Sequence, residues 1–177
     1  MALLAEELVE EWLNRQGYFT IRGIKIGVHE IDLLAIRPME QGLECRQVEV
    51  QASVRPVSYI TRVPKAVQKE TGRAASSSKA RADDELRQGI REWVKKKYDH
   101  PDKQRMRKRL APGPWSRELV VGQVKYPHEL ELIEQAGVTV RRLADILSQL
   151  KAGGLLVEGA AGAHFVDLVA FTDAIRK

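Results

Sequence analysis

Two acidic residues, Asp32 and Glu49, stand on strand-like runs that a short segment joins. The first run is residues 30–36 (EIDLLAI) and the second is residues 43–52 (LECRQVEVQA), with Arg37–Gly42 as the turn. The midpoint between the two acids falls between Glu40 and Gln41, so a symmetric hairpin sets them directly opposite each other. Opposed strand positions have Cβ atoms roughly 4.5–5.5 Å apart. Carboxylates that close repel unless a cation lies between them, and an oxygen-rich pair suits Mg²⁺. Gln51, two residues beyond Glu49, shares its face. Glu30 would fall opposite Gln51, as a further ligand or, the favoured reading, a surface acid. The competing reading is two ordinary solvent-facing acids, which a register slip of one residue would produce.

The elements that must hold this pair are legible around it. Residues 2–16 predict an amphipathic helix with Ala5, Leu8, Val9, Trp12 and Leu13 on one face, stopped by Gly17. Residues 18–26 predict a strand, so the first three strands form a meander. Arg55-Pro56 breaks the pattern, and residues 71–79 are Ser-rich and predict a loop. Leu86, Ile90, Trp93 and Val94 form a helical stripe behind the cap candidates Asp83 and Asp84. Residues 100–114 are basic and punctuated by proline, and predict an exposed connection. A strand (118–125), a helix (127–135), a short strand (137–140) and a helix (141–151) follow. Residues 165–175 predict a final helix or buried strand. The fold class is therefore α/β, a mixed sheet with antiparallel first strands and later crossovers, flanked by helices. At 177 residues the chain is expected to form a single domain, residues 1–177, with a basic helical insertion at about 55–115.

Bulk chemistry narrows the setting. A single cysteine, Cys45, excludes an intramolecular disulfide and any multi-cysteine zinc site, and fits a reducing cytoplasm. No apolar run reaches membrane-spanning length, and the acidic N-terminal residues predict no signal peptide. Residues 62–109 carry 16 Lys and Arg against 7 Asp and Glu, a local excess of 9 in a chain whose net charge is +5. A basic segment beside an acidic pair points to a polyanion, most simply nucleic acid, with DNA the expected partner. Lys65, Lys69, Arg73, Arg81, Lys95, Lys96 and Lys97 are the expected phosphate contacts. The plainer reading is a solvated helix face. Trp93 reads as core, while Tyr98 and Trp115 stay open as base-stacking candidates. His29 has the opposite strand parity from Asp32 and reads as a packed or surface residue. His100, His128 and His164 have no metal spacing among them.

The order of elements, with Asp on the second strand and Glu-x-Gln on the third, resembles the PD-(D/E)xK nuclease superfamily. The resemblance covers residues 1 to about 150 as topology, and its specific part is Asp32, Glu49 and Gln51 with a helix glutamate before them. It implies a restriction endonuclease-like fold, similar to Holliday-junction resolvases. It also implies one or two Mg²⁺ (or Mn²⁺) ions held by Asp32, Glu49 and the Val50 carbonyl. Gln51 stands where Lys is usual, and Ile31 stands where Pro is usual. A neutral amide orients water but cannot supply charge, so another Lys could lean in, with Lys65 and Lys69 nearest in sequence. Among Glu6, Glu7, Glu10 and Glu11, Glu6 lies nearest the edge of the apolar face and is the expected further catalytic acid. The expected function is a magnesium-dependent DNA endonuclease. A catalytically silent nucleic-acid-binding module and a protein-interaction domain are the alternatives, and a homodimer would allow both strands to be cut.

Overall fold

The computed structural model describes residues 2–53 and 55–175, with side chains described from Leu4 to Phe171 apart from Val54. Its elements run α1 (Ala2–Arg15), β1 (Phe19–Ile26), β2 (His29–Met39), β3 (Gly42–Gln51), α2 (Lys65–Thr71), α3 (Asp83–Lys97), α4 (Pro101–Leu110), β4 (Ser116–Val121), α5 (His128–Gln135), β5 (Thr139–Arg142), α6 (Leu143–Ala152) and α7 (Ala163–Ile175). The strands form one sheet in the order β1-β2-β3-β4-β5. β1, β2 and β3 pair antiparallel, whereas β3–β4 and β4–β5 pair parallel across helical connections. This is the expected α/β mixed sheet.

Helices cover both faces of the sheet because its central strands are apolar on both sides. Leu33, Ala35, Val48, Val50 and Val120 pack against Leu8, Val9, Trp12 and Leu13 of α1 and Ile146 and Leu150 of α6. The alternate residues Leu119 and Val121 face Leu86, Ile90, Trp93 and Val94 of α3 and Leu130 and Ile133 of α5. Tyr98 is fully buried and its hydroxyl donates to the Glu118 carbonyl at 2.7 Å, so it is core rather than a base-stacking ring. Trp93 is core as expected, and Trp115 is half-buried with its indole N–H on the Ala111 carbonyl.

One element departs from the sequence reading. Residues 101–110 form α4, not an exposed connection. Pro101 at the first helical position and the His100 side chain at the N-cap start the helix. Its decapeptide PDKQRMRKRL carries no apolar stripe, because the residues it buries are Lys103 and Arg107. Periodicity of apolar residues cannot report a helix whose inner face is cationic.

The segment between β3 and α3 is held by a buried acid. Glu129 of α5 accepts from the backbone N–H groups of Ile60 (2.6 Å) and Thr61 (3.0 Å) and from the Thr61 hydroxyl (2.6 Å). Glu129→Ala should therefore lower stability by about 3 kcal/mol or more, since hydrogen bonds to a charged group are worth roughly 1.5–3 kcal/mol each. Urea denaturation monitored by circular dichroism gives the value, and a loss under about 1 kcal/mol would show that water replaces the carboxylate freely.

Candidate active site

β2 and β3 form a fork. Their ladder runs from Met39↔Gly42 to Leu33↔Val48. Before Leu33, β2 pairs with β1 through Ile31↔Ile24, Glu30↔Lys25 and His29↔Ile26. Beyond Val48, β3 stays with β4 through Glu49↔Leu119, Val50↔Val120 and Gln51↔Val121. Continuing the hairpin register by one residue sets Asp32 opposite Glu49, as the sequence predicts. The two acids thus stand where the strands part. Asp32 spans the gap, its Oδ2 accepting from the Val50 N–H at 2.8 Å.

Glu49 is the most constrained group in the site. Its side chain is 1% exposed, and both of its oxygens are taken. Lys97 Nζ, at the end of α3, lies 2.5 Å from Oε2, and Lys103 Nζ, from α4, lies 3.4 Å from Oε1. The Gln47 amide donates to Oε1 at 3.0 Å and to the Lys97 carbonyl at 2.8 Å. Lys103 also donates to the Lys97 backbone carbonyl, at 2.9 Å, and Arg107 donates to the side-chain Oε1 of Gln47. Residues 47 and 49 share one face of β3, so a single strand face meets the ends of two helices.

The electrostatics follow from burial and from the pairing of like charges. Burial and then the Asp32 charge push the Glu49 carboxyl up, while Lys97 and Lys103 oppose them. Burial alone would lower the Lys97 ammonium, but Glu49 and Asp32 outweigh it and hold Lys97 above its usual range. For Lys103 burial wins, and its ammonium is lowered despite Glu49. Lys97 is the nearer of the two ammonium partners, at 2.5 Å against 3.4 Å for Lys103.

The α1 glutamates separate by partner. Glu7 pairs with Arg22 at 3.0 Å and Glu10 with the same guanidinium at 2.9 Å. Glu11 is buried and binds Arg15 and the backbone N–H groups of Ala160 and Gly162. Glu6 is half-buried and lies in the field of the site: burial raises its carboxyl first, then Asp32 and Glu30. This is the acid the sequence singled out. Gln51 is half-buried, and its Oε1 is buried with no hydrogen-bond partner among the described residues. An orphaned acceptor costs free energy unless a donor reaches it.

The structure redistributes the basic residues. Lys97, expected on phosphate, sits on Glu49. Lys103, which sequence reasoning missed, joins it, and Lys65 and Lys69, the nearer candidates in sequence, are exposed on α2. Arg81 is a correction. Its side chain is 1% exposed, lies over the Tyr59 ring and donates to the Thr61 and Ser77 carbonyls, so it cannot reach a phosphate. Arg73 is held by Glu85 at 2.9 Å and donates to the Lys79 carbonyl. Lys95 and Lys96 are exposed in the last turn of α3, as expected.

No family model matches the chain, and no curated protein matches it in sequence. Among solved structures it is similar to the crystal structure of a protein of unknown function, AF1548, at 11% identity and a TM-score of 0.44. That similarity covers 81% of this chain and 59% of the other.

A raised carboxyl makes the site costly to the fold at neutral pH. Glu6 ordinarily titrates at 4.5, and its folded value is higher. Its favourable contribution is thus complete below the unfolded value and is lost as pH rises through the folded one. Glu6→Gln mimics the protonated form, so it should be more stable than the parent at pH 7, with the difference vanishing below pH 4.5. Urea midpoints across that range test this, and parallel curves for the two proteins would remove Glu6 from the field of Asp32.

Proposed function

We propose that this chain is a metal-dependent nuclease that hydrolyses DNA phosphodiester bonds, of the PD-(D/E)xK kind. The observation that carries this reading is the fork. Asp32 and Glu49 stand in register where β2 leaves β3, with Glu6 behind them and a lysine ammonium on the second acid. The residues fit a hydrated divalent cation: two carboxylates share one field, and the buried Gln51 Oε1 awaits a donor such as a water. Asp32 and Glu49 would hold Mg²⁺ or Mn²⁺, with the Val50 carbonyl as a further oxygen by family resemblance. When bound, the ion would polarise a phosphoryl oxygen and acidify water.

The remaining roles belong to the chain itself. Gln51 Oε1 accepts a hydrogen bond from the attacking water and orients it. Lys97 supplies the positive charge that Gln51 lacks, reaching from α3 the place that the family's third-strand lysine reaches from β3. Its ammonium favours the negative charge that develops on phosphorus oxygens in the transition state. Lys103 and the Gln47 amide favour the ionised form of Glu49 and aim its carboxylate. The exposed Lys95 and Lys96 adjoin Lys97 and supply phosphate contacts.

One observation favours a second reading, a silent nucleic-acid-binding module. Both Glu49 oxygens already carry ammonium partners, so an ion must displace Lys97 to bind there. Single-turnover cleavage of linear, nicked and branched DNA with Mg²⁺ and with Mn²⁺ separates the two. For a nuclease, Glu49→Gln abolishes cutting and leaves DNA affinity in metal-free buffer within a few-fold. Lys97→Ala lowers the cleavage rate about 10²–10³-fold, the usual cost of one transition-state charge partner, and Lys97→Arg restores part of it. Gln51→Ala is milder. Binding without cleavage with either metal would establish the silent module.

DNA affinity is expected to rest on phosphates. Lys95→Gln with Lys96→Gln should weaken binding to all sequences alike and flatten the salt dependence by about 0.9 in log–log slope per lost contact. Fluorescence anisotropy over a salt series measures this, and a loss confined to one sequence would indicate base readout instead.

A further inference from the structure

His29 opens β2, and His100 lies in the turn between α3 and α4. The fold brings their rings together, with centroids 3.7 Å apart and planes at 40°. Asp102, in the first turn of α4, sets Oδ2 3.6 Å from His100 Nδ1 and gives Oδ1 to the exposed Arg105. The Asp102 N–H reaches the same His100 nitrogen at 3.4 Å, long for a hydrogen bond and therefore weak. One ring nitrogen from each histidine and one Asp102 oxygen lie within 4.8 Å of one another, all on half-buried residues.

A tetrahedral cation with bonds of about 2.0–2.1 Å holds its donor atoms roughly 3.4 Å apart. The three donors therefore need to converge by about 1.4 Å at their widest, and the Arg105 that holds Asp102 is itself largely exposed and can yield it to an ion. Two imidazoles and one carboxylate are the donor set of the later first-row metals, whereas Mg²⁺ takes oxygen. We propose that His29, His100 and Asp102 form a binding site for a Zn²⁺-like divalent cation, separate from the oxygen-rich pair of Asp32 and Glu49. This goes beyond the nuclease reading and does not rest on it. The ion ties the start of β2 to the turn that delivers Lys97 and Lys103 to Glu49. Three protein ligands leave a coordination position to water.

The test is calorimetric titration of the metal-stripped full chain with Zn²⁺, paired with the visible absorption of bound Co²⁺. Wild type binds one Zn²⁺ in the presence of millimolar Mg²⁺ and melts at a higher temperature with it, because the ion binds only the folded chain. His100→Gln and His29→Gln each weaken binding by more than the ~100-fold that is the upper cost of losing an outer hydrogen-bond partner of a metal site. Asp102→Asn weakens it as well. The Asp32→Asn, Glu49→Gln double variant binds Zn²⁺ as wild type does, with circular dichroism confirming that each variant folds. Zn²⁺ affinity that survives both histidine substitutions, or that disappears with Asp32 and Glu49, overturns the proposal. So does a wild type that binds no Zn²⁺.

Discussion

A carboxylate buried in the middle of a sheet needs positive charge within reach, and much of this molecule is arranged around that need. Glu49 lies on a central strand, with β2 on one side and β4 on the other. Stripping a carboxylate of water costs several kcal/mol, and only close, well-oriented cations offset it. Lys97 and Lys103 do so from two different helices, and the Gln47 amide and Lys97 carbonyl lock them together. Removing one partner of such a group typically costs about 3–5 kcal/mol.

This arrangement divides the sheet into two kinds of surface. Toward α1 and α6 the packing is apolar, with Trp12, Leu13, Val48 and Val50 fully or nearly fully buried. Toward α3 and α4 the apolar cluster around Leu119 and Tyr98 gives way, along β3, to a polar network of Gln47, Glu49, Lys97, Lys103 and Arg107. Hydrophobic burial holds the layers, while the network sets where the ends of α3 and α4 rest. Asp32, at the edge of both, is reached from α1 through Glu6 and from α3 through Lys97.

Much of this was legible in the sequence. The hairpin register followed from the symmetric placement of Asp32 and Glu49 about Glu40 and Gln41, because strand pairing leaves one register once both ends of a short turn are known. Helix α1, its buried stripe and the position of Glu6 at the edge of that stripe followed from 3.6-residue periodicity. Lys97 and Lys103 were hidden for a physical reason. They reach Glu49 through tertiary packing, and a lysine aimed inward is written with the same letter as one in solvent. Arg81 misled in the same way, as a surface-looking cation whose side chain is buried against the Tyr59 ring. Within α4, the Pro101 start signal was present, but a cationic inner face removes the pattern by which an amphipathic helix is recognised. The His29–His100 contact joins residues far apart in the chain, beyond any local spacing rule.

The helical excursion between β3 and β4 looks like an optional insertion on the linear map, yet it carries both counterions of a strand residue. A shorter crossover from β3 to β4, without α3 and α4, would leave Glu49 as a bare buried anion. The excursion could be trimmed only after that acid had become neutral, and with it the feature that makes the fork chemically interesting. The order of change is thus constrained: the acid must lose its charge before the segment that carries its counterions can be removed without penalty.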